Sequence, residues 1–110
     1  MNRVYWKKLE NHLRELTENY ETLHVFVGPL YLPNLKQKGL DYVKYQVIGE
    51  NKIAVPTHFF AVVFVEDMDK QLFSKSYILP NRSIGPEVPL SQFLSTLDKV
   101  ERLSGILFSL

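Results

Sequence analysis

Apolar residues recur at three- and four-residue steps from the start of the chain: Val4, Tyr5, Leu9, Leu13, Leu16 and Tyr20. That stripe predicts an α-helix over residues 3–19, with Asn2 where an N-cap belongs and an end near Asn19. The pattern then changes. Thr22 to Val27 is aromatic and β-branched and predicts a strand. Gly28-Pro29 and Pro33-Asn34 punctuate a loop reaching Gly39. Val43, Tyr45 and Val47 alternate with Lys44 and Gln46, Gly49-Glu50-Asn51 turns the chain, and Ile53 and Val55 return toward Pro56. This is the signature of a β-hairpin with one face buried. Phe59 to Val65 is almost continuously apolar, which predicts a strand covered on both faces. After the polar turn Glu66–Lys70, Leu72 to Leu79 reads as another strand, stopped by Pro80-Asn81. Residues 82–89, with Gly85, Pro86 and Pro89, read as an irregular loop. A last helix is expected over 96–104, with Ser95 and Asp98 resembling a capping box and Gly105 at the C′ position. A helix, then antiparallel strands, then a short helix make an α+β fold: an antiparallel sheet with a long N-terminal and a short C-terminal helix.

Composition narrows the partners. A length of 110 residues fits one domain, 1–110. With 13 Lys and Arg against 12 Asp and Glu, the net charge is +1, so a polybasic nucleic-acid binder working by charge alone is excluded. The chain has no cysteine, which removes disulfides, thiolate zinc sites and cysteine nucleophiles. No apolar run approaches the roughly 20 residues that span a bilayer, residues 1–10 hold no signal-peptide h-region, and no membrane partner is expected. Both ends are unusually apolar for termini, the last being Ile106-Leu107-Phe108-Ser109-Leu110. Two readings stay open: a piece of a larger fold or a subunit packed on a partner, and a small domain with a docked last strand.

Several stretches carry chemistry together. Asn2-Arg3-Val4-Tyr5-Trp6-Lys7-Lys8-Leu9-Glu10 fits an N-x-x-x-W-x-x-L-E pattern. It is followed in order by Val27-Gly28-Pro29-Leu30-Tyr31, Tyr45-Gln46-Val47-Ile48-Gly49, Ala54-Val55-Pro56-Thr57-His58-Phe59-Phe60, Leu79-Pro80-Asn81, Pro89-Leu90 and Glu101-Arg102-Leu103-Ser104-Gly105. In order and spacing the sequence resembles the DNA/RNA non-specific endonucleases of the ββα-metal type, endonuclease G-like, and specifically the C-terminal part of that domain from its metal-binding helix onward. The resemblance implies Mg²⁺-dependent (or Mn²⁺-dependent) hydrolysis of DNA and RNA phosphodiesters, a mitochondrial location and a homodimer or packing partner. It also implies a water-activating histidine in an Asp-Arg-Gly-His motif upstream of the asparagine. That motif does not occur in these 110 residues, so DNA or RNA is expected as a partner only once the His-bearing half completes the site.

By resemblance, Asn2 is the metal ligand and Glu10 the site glutamate. An amide oxygen is a hard, neutral donor suited to Mg²⁺, which keeps most of its waters; the residues alone read Asn2 as a helix cap, and one side chain can do both. Residues 2 and 10 are separated by about 12 Å of helix rise, too far for both to ligate one ion. Glu10 leans back toward the N-terminus and would reach a metal-held water instead; otherwise it is a solvated partner of Arg14 at i,i+4. Arg14 matches a basic position of the family and would touch a neighbouring phosphate, or serve structure alone. Trp6 is read as packing that fixes the helix, with base stacking the alternative. His12, His24 and His58 are expected to be scaffold, not base. Lys36 and Lys38 either contact a nucleic-acid backbone or are a solvated loop. The competing function is a non-catalytic, nuclease-derived interaction subunit; an unrelated α+β binding module is the third.

Overall fold

A computed structural model describes residues 3–19 and 22–108. Asn2, Tyr20 and the final Ser109-Leu110 of the apolar run lie outside the described residues. The chain runs through α1 (Arg3–Asn19), β1 (Thr22–Leu30), β2 (Leu35–Gln37), β3 (Leu40–Tyr42), β4 (Val47–Ile48), β5 (Ile53–Ala54), β6 (His58–Glu66), β7 (Leu72–Pro80), a 3₁₀ turn Leu90–Phe93, β8 (Leu94–Ser95) and α2 (Leu97–Ser104). The architecture is α+β and its main sheet antiparallel, as the sequence predicts.

That sheet has the order β1-β6-β7-β8. β6 pairs along its full length with β1 on one side and β7 on the other, which explains its unbroken apolar run: both faces are covered. Residues opposite one another in register share a face. Ala61 and Tyr77, with Leu79, pack against Tyr5 and Leu9 of α1, and Val63 and Val65 pack against Leu16. On the other face Phe60, Val62 and Phe64 meet Val100 of α2, with Leu30 and Phe108. The sheet is thus clad by α1 on one face and α2 on the other, and the buried stripe of α1 follows the predicted helical spacing.

Three local expectations change. Gly28 and Pro29 do not open a loop; they lie inside β1, opposite Phe60 and Phe59. An edge strand tolerates a proline whose missing N–H would face away from the ladder. The hairpin at residues 43–55 forms, yet neither face is buried: Val47 is 46 %, Ile48 51 % and Ile53 61 % exposed. Its ladder is two residue pairs long and separate from the main sheet, so alternation here marks a strand but not a covered surface. The cap of α2 is Thr96, whose side chain accepts from the Lys99 N–H at 3.1 Å, rather than Ser95, which is taken up by β8. Gly105 ends α2 with φ 76, the left-handed conformation glycine favours.

The excursion between β1 and β6 contains a further hairpin, β2–β3, turned by Lys38 and Gly39 with φ 51 and 75, the pair of positive values of a type I′ turn. Its neck is clamped at Thr57. The Thr57 N–H donates to the Leu30 carbonyl (3.0 Å), its hydroxyl to the same oxygen (3.2 Å), and the Leu32 N–H donates to that hydroxyl (2.8 Å). Asn81 joins from β7's end, donating its N–H to the Thr57 carbonyl and its side-chain amide to that of Pro56, both at 2.9 Å.

Candidate functional site

The buried line of α1 runs through Tyr5, Leu9 and Leu16. At about 100° per residue, Trp6, Glu10 and Arg14 fall on one flank of that line, and Lys8, Asn11, His12 and Glu15 on the other. Glu10 and Arg14 are both exposed. Among the described residues no ion pair joins them, whereas Asp98 and Arg102 at the same i,i+4 spacing pair at 3.1 Å. Trp6 is half-buried against the core and its ring lies 6.4 Å from that of Phe59, so packing, not solvent, sets the azimuth of the Glu10 flank. Asn2, the predicted metal ligand, lies outside the described residues.

The helix is held firmly. The Tyr5 hydroxyl donates to the Val88 carbonyl at 3.0 Å, and the Lys8 ammonium donates to the Val88 and Pro86 carbonyls at 2.8 and 3.2 Å while lying 5.3 Å from the Tyr5 ring centre. These bonds staple residues 82–89 to α1. Burial pushes the Tyr5 phenol above its ordinary pKa and does the same for Tyr77, so both stay neutral hydrogen-bonding groups at ordinary pH. Sequence gave no sign of the Lys8 staple, because its partners are some 80 residues away.

An open cavity of about 480 Å³ borders the other flank, lined by Lys7, Lys8, Asn11, His12, Glu15 and Leu90. His12 Nε2 stands 3.3 Å from the Tyr77 hydroxyl, with the two rings edge-on. The helix therefore separates this cavity from the flank with Glu10 and Arg14; the structure does not gather the sequence-nominated residues around it. His24 is exposed on β1. His58 opens β6 and its Nδ1 lies 2.9 Å from the Thr57 hydroxyl. Burial first, and then the positive charge of Arg82, lower its pKa. Lys36 and Lys38 are exposed on the β2–β3 hairpin.

Among the described residues no three His, Asp or Glu side chains cluster as a metal cage. On the flank it shares with Trp6 and Arg14, α1 offers the hard carboxylate of Glu10, open to water. That donor chemistry suits a cation that keeps its hydration shell and takes few protein ligands, and does not suit a soft or fully protein-ligated ion. Among the described residues no helix is long and apolar enough to cross a membrane.

Comparison with known proteins places these features in a family. The sequence model described as DNA/RNA non-specific endonuclease matches residues 1–109. The mitochondrial endonuclease G of Homo sapiens is 44 % identical over 108 residues, which is 98 % of this chain and 36 % of that protein. The mitochondrial endonuclease G of Caenorhabditis elegans is 46 % identical over 105 residues, 96 % of this chain and 34 % of that protein. A chain in the crystal structure of the EndoG/EndoGI complex superposes with a TM-score of 0.92 at 46 % identity, covering 98 % of this chain and 44 % of that one. The chain spans about a third of the length of these two relatives.

Proposed function

The chain belongs to the DNA/RNA non-specific endonuclease family, and from that premise we propose that residues 1–110 are the metal-helix part of an endonuclease G-like domain that hydrolyses phosphodiester bonds of DNA and RNA. The observation that carries the reading is the match of sequence and fold together, 46 % identity at a TM-score of 0.92. The mitochondrial names of the relatives support a mitochondrial location, and a homodimer or packing partner belongs to the same reading.

In this reading Asn2 would ligate Mg²⁺, with Mn²⁺ as the substitute, and Glu10 would hold the ion through its water. The bound ion supplies charge neutralisation at the departing oxygen. Glu10 would accept hydrogen bonds from water on the ion and so orient it. Arg14, one turn further on the same flank, contacts a neighbouring phosphate through its planar guanidinium. Trp6 and the Tyr5–Lys8 staple keep the helix from rolling, which fixes where Glu10 stands. The proton of the attacking water goes to the histidine of an Asp-Arg-Gly-His segment. Since that motif is not among these 110 residues, activity requires it in a longer chain or in trans.

Plasmid cleavage in Mg²⁺, with and without a segment bearing the motif, tests this. Cleavage is expected only with the segment, and Glu10→Gln is expected to lower it roughly 10–100-fold, the usual effect of losing an outer-shell partner. No gain on adding the segment defeats the reading. The second reading, a non-catalytic nuclease-derived interaction subunit, is favoured by the exposed apolar residues Val27, Ile106 and Leu107. It predicts that Mg²⁺ and Mn²⁺ titrations of the chain and of Asn2→Ala give the same absence of binding.

A further inference from the structure

On the sheet face opposite α1, β6, the end of β7 and α2 enclose a cavity of about 430 Å³. Its wall includes His58, Arg82, Gln92, Ser95 and Lys99, with Ile78 among its apolar residues, and among the described residues no carboxylate lines it. The two acids of α2 are engaged elsewhere: Asp98 with Arg102, and Glu101 accepting from the Phe108 N–H at 2.9 Å. Arg82 and Lys99 have no carboxylate partner among the described residues. We propose that this cleft is a second phosphate-binding site, set apart from α1, which takes a terminal phosphate or phosphodiester of a nucleic-acid strand.

The chemistry of His58 fits an anion. The Thr57 hydroxyl lies 3.2 Å from the Leu30 carbonyl oxygen and 2.9 Å from His58 Nδ1. In either tautomer of neutral His58 one ring nitrogen keeps a lone pair. Taking a proton there turns the ring into a second donor and adds a third positive charge to those of Arg82 and Lys99. In the empty cleft, burial and Arg82 oppose that protonation; an anion seated between the three groups favours it. Arg82 is the charge that acts on the imidazole, and Lys99 lines the same wall, so binding of a phosphodiester, whose charge is constant in this range, strengthens as pH falls through the His58 pKa. The volume suits one nucleotide, with its phosphate on the cations and its base against the apolar wall. The phosphate chemistry stands on the cavity; its assignment to nucleic acid rests on the nuclease reading.

The test follows the His58 ring resonances of the chain by NMR, without divalent metal, in inorganic phosphate and in a 5′-phosphorylated dinucleotide. Both ligands are expected to move those resonances and raise the His58 pKa, the dinucleotide at lower concentration. Arg82→Gln combined with Lys99→Gln should weaken dinucleotide binding roughly tenfold or more. Both residues border solvent; Lys99→Gln alone, with a smaller loss in the same direction, guards against misfolding of the double variant. Response to inorganic phosphate alone overturns the assignment to nucleic acid. No response to either ligand, or a response unchanged in both variants, overturns the site. Plasmid cleavage is a separate readout, so failure of the nuclease reading and failure of this site are told apart.

Discussion

At Gly28 a Cβ would stand 2.6 Å from Phe60 Cζ and 2.7 Å from Cε1. Phe60 is 3 % exposed and its ring packs 5.6 Å from that of Phe108, so it has nowhere to retreat. Gly28→Ala is therefore expected to destabilise the fold by about 1–3 kcal/mol, the cost of overpacking. Urea unfolding checks it, and an unchanged midpoint would mean that the ring moves freely. His58 provides a second test at this scale. Its folded pKa lies below the ordinary 6.5, so at pH below 6.5 the unfolded chain binds protons there that the folded chain does not. Stability then falls as pH drops from 6.5 through the folded pKa, and levels off below it. In His58→Gln this part of the decline should vanish in denaturant midpoints measured across pH; a slope equal to the parent's would refute the assignment.

Among elements, α2 gives the cleanest case. Its first turn is held by the Thr96 hydroxyl on the Lys99 N–H, and losing an N-cap costs about 1 kcal/mol. Thr96→Ala should lower the melting temperature by several degrees, whereas Ser95→Ala should leave this cap intact. Both residues are chemically able to cap, so sequence alone could not choose between them; the pairing of Ser95 with Ser76 across β7–β8 decides it. The same limit runs through the rest of the fold. α1 and β6 were legible because burial imposes a period or an unbroken run on many consecutive residues. Gly28-Pro29 was misleading because glycine's absent side chain answers a ring 32 positions away, not a turn. Of the site, Glu10 and Arg14 were legible as a flank of one helix. The Lys8 staple, the His12–Tyr77 contact and the His58 cleft come from chain reversals that leave no local pattern.

The whole molecule is elongated, 51 × 28 × 28 Å with a radius of gyration of 15.9 Å, against about 13 Å for a compact chain of this length. Two short hairpins outside the main sheet account for part of that shape, and they carry exposed Leu40, Val47, Ile48 and Ile53. A second apolar region is of another kind. β1 is the edge of a four-stranded sheet, nine residues long, with Val25, Phe26 and Val27 40, 38 and 48 % exposed. Beside it Phe26, Val27, Phe60, Ile106, Leu107 and Phe108 border an apolar hollow of about 260 Å³, and Leu107 is 85 % exposed. A long apolar edge with open backbone groups pairs readily with other chains, and a net charge of only +1 offers little repulsion against it. The chain alone should therefore self-associate as its concentration rises, seen as a growing mass in sedimentation or light scattering. Val27→Lys with Leu107→Glu should keep it monomeric to higher concentration at little cost in stability, since both side chains already face water. If the doubly charged variant associates as strongly as the parent, the contact surface lies elsewhere, on the outlying hairpins.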